Sequence, residues 1–148
     1  MERVIFSTEV AIKLIDGGLL PEAKTEGAVA LDCYARLDED VVIPVGERRV
    51  IPLGFAMEIP DGYEAVIRPR SGLSLKGIDE TIGTIDTDYR AEVKSCLVNN
   101  SKEDFVVHNG DRICQMAIRE VPKVVFVLTD ELSETERGEG GFGSTGLR

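Results

Sequence analysis

The sequence predicts an all-β domain, built as a sandwich or barrel, that carries one short helix and ends in a flexible arm. Three observations support this prediction. Short segments rich in Val, Ile and Leu recur along the chain, and turn residues such as Gly, Pro, Asn and Asp separate them. Almost no stretch shows the apolar spacing of an amphipathic helix, so strands must form the core. The composition also changes after residue 129, where glutamate and then glycine replace the strand-forming residues.

Five strands are expected in the first half of the chain. Gly17, Gly18 and Pro21 interrupt this half early, and residues 22–26 are polar and loop-like. Pro60-Asp61-Gly62 is a turn signal, because proline sets φ and glycine accepts a positive φ. The predicted strands cover residues 3–6, 29–35, 41–44, 49–59 and 64–68.

One short helix is expected after Gly72, and the chain then returns to strands. Residues 98–101 are predicted to turn. His108-Asn109-Gly110-Asp111 is a hairpin signal, since Asn-Gly favours a tight turn. The predicted strands of this half cover residues 91–97, 105–107, 113–118 and 124–128.

The bulk composition is that of one ordinary globular domain. The chain has 148 residues, of which 43% are hydrophobic and 30% charged, so it can bury a core. Its net charge of −10 argues against a general nucleic-acid-binding protein, which needs a basic face to neutralise phosphates. A small polyphosphate ligand requires only a few local donors. Neither a membrane-spanning apolar run nor a signal-peptide pattern occurs, so we expect a cytoplasmic protein that binds neither membrane nor nucleic acid.

The cysteines and the histidine exclude several kinds of site. Cys33, Cys96 and Cys114 are odd in number, widely spaced and without a CxxC motif, which indicates reduced thiols rather than disulfides or a zinc site. His108 is the only histidine, so any Ser–His or Cys–His catalytic pair would have to use it. We interpret His108 as a hairpin residue.

Residues 129–148 form a predicted arm that is separate from the β domain at residues 1–128. Its glycine-rich end contains Arg137 and Phe142 as isolated side chains. Such a segment is either a mobile tail or a flap that orders on a ligand. In a flap, arginine supplies charge, phenylalanine stacks and backbone amides bind phosphate oxygens.

The stretch from Gly83 to Val93 carries two acids close together. Asp86 and Asp88 lie two residues apart, and the aromatic Tyr89 follows them. Gly83 lets the chain turn or lets a ligand approach the backbone closely. Taken alone, the acids fit a solvated hairpin, because Asp is a common turn residue.

Asp32 and a basic turn are the other polar features of the strand region. Asp32 lies in an apolar segment, where it is either a solvent-facing strand residue or a buried carboxylate with a partner. The turn Arg68-Pro69-Arg70-Ser71-Gly72 places two arginines, a serine and a glycine within five residues.

Five motifs, taken together and in this order, resemble the trimeric dUTP diphosphatases (dUTPases). Each motif alone is weak, whereas five at about the family's separations are specific and cover most of the chain. The motifs are Ala30-Leu31-Asp32-Cys33-Tyr34-Ala35, Arg70-Ser71-Gly72-Leu73, Gly83-Thr84-Ile85-Asp86-Thr87-Asp88-Tyr89-Arg90, Gly110-Asp111-Arg112-Ile113-Cys114-Gln115-Met116, and Arg137-Gly138 with Gly140-Gly141-Phe142-Gly143-Ser144-Thr145-Gly146.

The resemblance implies a jelly-roll-like β domain that assembles as a homotrimer with three shared active sites. It implies hydrolysis of dUTP to dUMP and pyrophosphate, which keeps dUTP low and supplies dUMP for thymidylate synthesis. Mg²⁺ would be held mainly by substrate phosphates and water, so no direct metal ligand is expected in the chain.

The third motif would hold the catalytic and base-reading groups. Asp86 would act as general base towards the attacking water, because a carboxylate with an ordinary pKa of about 3.9 is ionised at neutral pH. Tyr89 would lie under the deoxyribose and leave no room for a ribose 2′-hydroxyl. The groups that would read the uracil edge are Gly83, Thr84, Ile85 and Lys94.

The remaining motifs would bind the phosphates and close the site. Asp32 would support the site from behind. The other implied contacts are Arg70, Ser71 and Gly72 on phosphate, Gln115 at the α-phosphate, Arg137 at the γ-phosphate, Phe142 stacked on uracil, and Gly143, Ser144 and Thr145 completing the phosphate cradle.

Four positions depart from the family pattern. Many members carry a glycine and an aromatic residue where this chain has Ala30 and Leu31, and a glycine where it has Ala91. Some members carry an asparagine near the position of Glu80. These departures bear on local packing and one uracil contact rather than on the chemistry.

Besides a structural β-trimer with a mobile tail, two alternative functions remain from the sequence. The related dCTP deaminases carry a serine at the position of Gly72 and need a glutamate where residues 93–97 have none, so deamination is disfavoured. A regulatory protein that binds dUTP and signals to a partner is the second alternative.

Overall fold

The computed structural model describes residues 7–147, so the strand predicted at residues 3–6 lies outside the described part. Within that part the chain forms eleven strands and a single four-residue helix, which confirms the predicted all-β class. The elements are β1 (Ala11–Leu14), β2 (Leu31–Tyr34), β3 (Val41–Ile43), β4 (Arg48–Pro52), β5 (Phe55–Glu58), β6 (Tyr63–Arg68), α1 (Ser71–Ser74), β7 (Ile78–Glu80), β8 (Thr84–Ile85), β9 (Lys94–Asn99), β10 (Phe105–Val107) and β11 (Arg112–Glu120).

All strand pairs among residues 7–147 are antiparallel and form four sheets. The largest sheet has the order β2-β11-β6-β8, and a three-stranded sheet has the order β4-β9-β7. Two-stranded pairs, β1-β5 and β3-β10, complete the arrangement. Neighbours in the sheets are mostly distant in the chain, which is the connectivity of a jelly-roll-like sandwich.

The core lies between the sheets and consists of aliphatic residues with one large aromatic, Phe55. Strand β9 shows how the sequence builds it: Ser95, Leu97 and Asn99 are buried and alternate with more accessible residues. Asn99 is satisfied inside the core because its amide nitrogen donates to the carbonyls of Ile43 and Glu103, each at 2.8 Å. This alternation gives each strand one buried face.

The long strand predicted at residues 49–59 is divided into β4 and β5 at Gly54. Gly54 has a φ of +76°, a left-handed conformation that ends the extended backbone. Gly18 packs directly against it, since a Cβ added at Gly18 would lie 1.9 Å from the Gly54 carbonyl oxygen. The prediction of strand structure on both sides of Gly54 is therefore confirmed, but the prediction of one continuous strand is wrong.

The strand predicted at residues 124–128 is wrong. This segment has no strand assignment, and Val125 is 76% and Leu128 100% exposed. A β-branched pattern favours extended backbone, but a strand also needs a neighbouring strand to bond to. None of the strands formed by residues 7–147 pairs with this segment.

The last strand ends at Glu120, and residues 121–147 contain neither helix nor strand. Among the residues that the structure describes, no helix combines the length and apolarity needed to cross a membrane.

Candidate active site

The first group of predicted site residues gathers around Asp32. Strands β2 and β11 are hydrogen-bonded neighbours, and their register places Gln115 opposite Asp32. Strand β6 flanks β11 on the other side, with Arg68 opposite Gln115. Arg70 lies two residues beyond the end of β6. The pairing of three strands therefore brings residues from the first, second and fourth motifs to one place.

Asp32 is held between two guanidinium groups. Its side chain is only 15% exposed, and its Oδ2 lies 3.3 Å from Arg112 Nη1 while its Oδ1 lies 3.8 Å from Arg70 Nε. Arg70 Nη1 also donates to the backbone carbonyl of Arg112 at 2.7 Å. Of the two interpretations of Asp32, the structure supports the enclosed carboxylate with charged partners. The carboxylate fixes both arginines, so their remaining N–H groups can bind an anion.

The phosphate-binding turn predicted at Arg70-Ser71-Gly72 starts helix α1. Arg70 is extended, with φ −88° and ψ 130°, and the helix begins at Ser71. Ser71 and Gly72 are exposed, and the space beside the Gly72 backbone is open. Gln115 Nε2 donates to the Pro69 carbonyl at 2.9 Å, which ties β11 to this turn. The turn can therefore present a hydroxyl and backbone amides to a ligand.

Two buried thiols lie behind this group. Cys33 and Cys114 face each other across β2 and β11, and both are 0% exposed. The hydrogen bond with Cys114 and burial raise the pKa of the Cys33 thiol far above its ordinary value. A protonated, inaccessible thiol cannot act as a nucleophile at neutral pH.

The second group is the acid-bearing hairpin beside a cleft of about 250 Å³. Tyr89 lies in the cleft wall, and its hydroxyl donates to the Glu92 carbonyl at 3.0 Å. Its backbone amide donates to the Asp86 carbonyl at 3.2 Å, which closes the turn between the two residues. The cleft is lined by Val50, Ile82, Thr84, Ile85, Asp86, Tyr89, Val93 and Lys94.

The hairpin is anchored to the large sheet while its acid remains free. Gly83 has a φ of +95°, and its carbonyl accepts from the Ile67 amide at 2.7 Å. Ile85 is buried and pairs with Ala65. Asp86 is exposed, and its carboxylate forms no hydrogen bond or ion pair with any other residue of the range 7–147. A free carboxylate at the mouth of a cleft can accept a hydrogen bond from water.

The third group is the C-terminal arm. Arg137 Nε donates to the Gly140 carbonyl at 2.7 Å, so the guanidinium turns back on its own segment. Phe142 is fully exposed and has a φ of +50°, and Gly143 follows with a φ of +86°. Ser144 donates its amide to the Gly141 carbonyl at 3.0 Å. Thr145, like Ser144, is exposed.

The Asp32 group and the hairpin lie in the same four-stranded sheet, but no direct polar side-chain contact joins the three groups within the described part of the chain. No hydrogen bond or ion pair between residues 7 and 147 links the Asp32 group, the hairpin group and the arm. A further cleft of about 400 Å³ lies between β1, β5, β6 and β11 and contains none of the predicted site residues. Each group thus offers part of a site for a charged, aromatic ligand.

No cluster of three or more His, Cys, Asp or Glu side chains in residues 7–147 could hold a metal ion. Asp32, the most enclosed acid of the site, is already neutralised by Arg70 and Arg112. A metal at this site would therefore take most of its ligands from a bound substrate and water.

The roles of Arg112 and Glu80 were not predicted from the sequence. Arg112 belongs to the fourth motif, for which no role of this residue was predicted, and it is one of the two cations on Asp32. Its position directly before a predicted strand was the available signal. Glu80 was noted only as a departure, but its buried carboxylate accepts the backbone amide of Ile82 at 2.8 Å, at the start of the hairpin.

Comparisons with known proteins agree with these motifs. A family model described as dUTPase matches residues 17–146. The deoxyuridine 5′-triphosphate nucleotidohydrolase of Treponema denticola is 48% identical over 142 residues, covering 94% of this chain and 99% of that protein. The protein of the same name from Maricaulis maris is 48% identical over 147 residues, covering 94% and 97%. The solved dUTPase of Staphylococcus bacteriophage 80alpha with dUPNHPP has a TM-score of 0.83 at 26% identity, covering 95% of this chain and 100% of that one.

Proposed function

The chain belongs to the dUTPase family and hydrolyses dUTP to dUMP and pyrophosphate, and we propose that Asp86 is the general base of this reaction. The observation that carries the proposal is the free, exposed Asp86 carboxylate at the cleft that Tyr89 and Lys94 also line. The reaction keeps dUTP low and yields dUMP for thymidylate synthesis.

In the proposed mechanism, Asp86 accepts a hydrogen bond from a water molecule and aims its oxygen at the α-phosphorus. The new oxygen–phosphorus bond forms as the bond from that phosphorus to the bridging oxygen of the β-phosphate breaks. The electron pair leaves with pyrophosphate, and the proton of the water passes to Asp86. Positioning and charge stabilisation then provide most of the rate acceleration, as in other phosphate transfers.

Phosphate binding is assigned to the group around Asp32. Asp32 fixes the guanidinium groups of Arg70 and Arg112, so both are oriented before substrate arrives. Ser71 and Gly72 would supply a hydroxyl and a backbone amide to the phosphate oxygens. Gln115 would reach the α-phosphate from the adjacent strand. This arrangement would favour anions, because the guanidinium groups of Arg70 and Arg112 meet at Asp32.

Base and sugar recognition is assigned to the hairpin cleft. The backbone of residues 83–86, together with Lys94, would hydrogen-bond the uracil edge in a slot too narrow for the thymine methyl group. Tyr89 would pack under the deoxyribose and exclude a 2′-hydroxyl by contact. The tyrosine is suited to this role because its hydroxyl is already held by the Glu92 carbonyl.

The arm at residues 129–148 is proposed to close over the substrate bound to the β domain at residues 1–128. Arg137 would exchange its Gly140 contact for the γ-phosphate, and Phe142 would stack on uracil. The exposed, glycine-rich backbone supports this role, since it can reorganise at low cost. The amides of Gly143, Ser144 and Thr145 would complete the cradle.

Mg²⁺ is the proposed cofactor. When bound, it would neutralise triphosphate charge that the protein's own cations do not reach. The site fits a metal held through substrate and water, because its most enclosed carboxylate, Asp32, is already paired with Arg70 and Arg112.

The proposed active unit is a homotrimer with shared sites. It is supported by the lack of direct hydrogen bonds or ion pairs among the three groups of site residues within residues 7–147. Residues from different subunits would complete one another at each interface. We also propose a cytoplasmic location, which suits the three free cysteines Cys33, Cys96 and Cys114.

The catalytic proposal is tested by pyrophosphate release from dUTP, dTTP, dCTP and UTP with Mg²⁺. Wild type should cleave dUTP alone, Asp86→Asn should be inactive, and the neighbouring Asp88→Asn variant serves as control. An active Asp86→Asn variant would overturn the role of Asp86. Binding of dUTP without cleavage by wild type would favour the regulatory protein, and ammonia release from dCTP would favour a deaminase.

The shared site is tested by mixing two inactive variants, Asp86→Asn and Arg70→Ala, and refolding them together. Activity should return in the mixture, because some sites then combine an intact hairpin with an intact phosphate-binding group. A mixture as inactive as its components would show that one chain supplies both groups.

A further inference from the structure

Glu80 is a buried carboxylate outside the residues assigned to the reaction. It is the last residue of β7, and only 9% of its surface is exposed. It lies opposite Leu97 of β9, so its side chain points to the same face of the sheet as the buried side chains of Ser95 and Leu97. Its carboxylate therefore lies at the edge of the core.

The carboxylate is held by two backbone amides from different segments. Glu80 Oε1 accepts from the Ile82 amide at 2.8 Å and from the Cys96 amide at 3.3 Å. The Thr81 amide donates to the Cys96 carbonyl at 3.0 Å. Residues 80–82 are thereby bonded to both backbone groups of Cys96, in the middle of β9.

This contact lies where the chain passes from one sheet to another. Strand β7 belongs to the three-stranded sheet through β9, whereas β8 belongs to the four-stranded sheet through β6. Residues 81–83 are the complete connection between them. Glu80 attaches the start of this connection to β9. The hydrogen bond from the Ile67 amide to the Gly83 carbonyl attaches the end of the connection to β6.

The segments that Glu80 bonds together, residues 80–82 and strand β9, both contribute residues to the cleft. Ile82, whose amide Glu80 holds, lines the cleft itself. Lys94 lines the same cleft and precedes Cys96 by two residues on β9. The Glu80 carboxylate thus bonds the start of the hairpin to β9, and both segments contribute residues to the cleft.

Burying the Glu80 carboxylate costs free energy, which would be unexpected if the side chain served only to fill space. Burial raises the pKa of Glu80, and the amides of Ile82 and Cys96 oppose this rise. The Ser95 hydroxyl also lowers the pKa, although it is fully buried and forms no hydrogen bond of ordinary geometry with any residue in the range 7–147. An apolar side chain of similar volume would avoid these costs but would release both amides.

We infer that Glu80 is a positioning residue for base selectivity, which holds the uracil-reading hairpin at the correct distance from β9. The inference rests on the proposed function of the hairpin cleft. Glu80 does not touch the reacting atoms and acts through the Ile82 and Cys96 amides. It discriminates among bases because small displacements of the hairpin change which pyrimidine fits the slot.

The test compares Glu80→Met, which keeps the length of the side chain but lacks an acceptor, with Glu80→Gln, which keeps an acceptor oxygen. For Glu80→Met we expect a KM for dUTP raised about tenfold or more and a preference for dUTP over dTTP lowered by a similar factor. Its kcat should change much less than its KM. Glu80→Gln should recover most of both losses, and Asp79→Leu on the opposite face of β7 is the matched control.

Amide hydrogen exchange provides a second readout in the same proteins. The Ile82 and Cys96 amides should exchange faster in Glu80→Met than in wild type or Glu80→Gln. Glu80→Ala makes the same comparison if the methionine variant does not fold.

A Glu80→Met enzyme with unchanged preference for dUTP over dTTP would overturn the inference, as would a glutamine variant no better than the methionine one. A failure of the proposed catalytic function can be distinguished from a failure of this inference, because it would appear as activity of the Asp86→Asn variant with Glu80 unchanged.

Discussion

The Arg36 guanidinium and the Glu92 carboxylate form a two-point ion pair, and Glu92 directly precedes Val93, which lines the hairpin cleft. Arg36 Nε lies 2.8 Å from Glu92 Oε2, and Arg36 Nη2 lies 2.9 Å from Glu92 Oε1. The Gly54 amide also donates to Glu92 Oε2 at 2.9 Å. The Glu92 carbonyl accepts the Tyr89 hydroxyl, so the pair supports the residue proposed to contact deoxyribose.

Glu92→Gln should lower the free energy of unfolding at pH 7 by about 2 kcal/mol, because it weakens two charge-assisted bonds of a mostly buried arginine. The Arg36 hydrogen bonds lower the pKa of Glu92 below its ordinary value of 4.5. Its contribution is therefore present above pH 4.5 and is lost as the pH falls through the lower, folded-state pKa. Urea unfolding at pH 7 and in more acidic buffers measures this effect.

Glu47→Gln is the matched control, since the Arg49–Glu47 pair is exposed. Equal destabilisation by the two substitutions would contradict the special role of the Arg36 pair.

Gly18→Ala should destabilise the fold by about 3 kcal/mol, a value typical of strong steric conflict in a packed interior. The added Cβ would lie 1.9 Å from the Gly54 oxygen and 2.6 Å from its carbonyl carbon, both of them backbone atoms. Gly27→Ala is the control, because nothing lies within 4 Å of its added Cβ. Thermal unfolding of the two variants should separate them clearly, and similar midpoints would show that the Gly18 contact relaxes.

Much of the fold could be predicted from local patterns. Strand β6 has a clear alternation of buried residues, β11 is a longer apolar segment, and both lie close to their predicted ranges. Helix α1 begins at Ser71, inside the basic turn, whereas the sequence predicted a start after Gly72. Strands β1 and β7 were missed because segments of four and three residues carry too little pattern. At residues 124–128 a strand was predicted that does not form, because an apolar pattern alone does not supply a partner strand.

The site was predictable as motifs but not as contacts. The pairing of Asp32 with Arg112 depends on the register of β2 and β11, which the sequence does not specify. Glu80 lies in a strand that was not predicted, so its buried carboxylate could not be recognised. Strand register and burial are tertiary properties, and they decide which polar residues of a motif meet.

Tyr89→Ala should relax the choice of sugar. Without the ring, the slot under the deoxyribose has room for a 2′-hydroxyl, so the ratio of kcat/KM for dUTP to that for UTP should fall about tenfold or more. Tyr89→Phe keeps the ring and loses only the bond to the Glu92 carbonyl, and it should retain the preference. If both variants discriminate equally well, another residue excludes ribose.

Asp40→Asn should reduce stability in mildly acidic buffer and not in alkaline buffer. His108 Nδ1 lies 2.9 Å from Asp40 Oδ1, and this contact raises the pKa of His108 above its ordinary value of 6.5. The contribution is fully present below pH 6.5 and is lost as the pH rises through the higher, folded-state pKa. The effect should be small, because both side chains are exposed.

Urea unfolding of wild type and Asp40→Asn at pH 5.5 and pH 9 (about one unit below and well above the ordinary histidine range) gives the comparison. A stability difference that is the same at both pH values would exclude histidine protonation as its origin.

Glu80→Gln should gain stability relative to wild type as the pH rises. Burial raises the pKa of Glu80, so its neutral form is favoured in the folded protein. The wild-type contribution is thus fully present below the unfolded-state pKa, ordinarily 4.5, and is lost as the pH rises through the folded-state pKa. Glutamine stays neutral at every pH and avoids that loss.

Urea unfolding of both proteins at pH 4 and pH 8 (on either side of the ordinary glutamate range, about 4.3) should show the higher stability of the glutamine variant at the higher pH alone. A constant difference would mean that the carboxylate is fully compensated by the Ile82 and Cys96 amides, and selectivity would then carry no cost in stability.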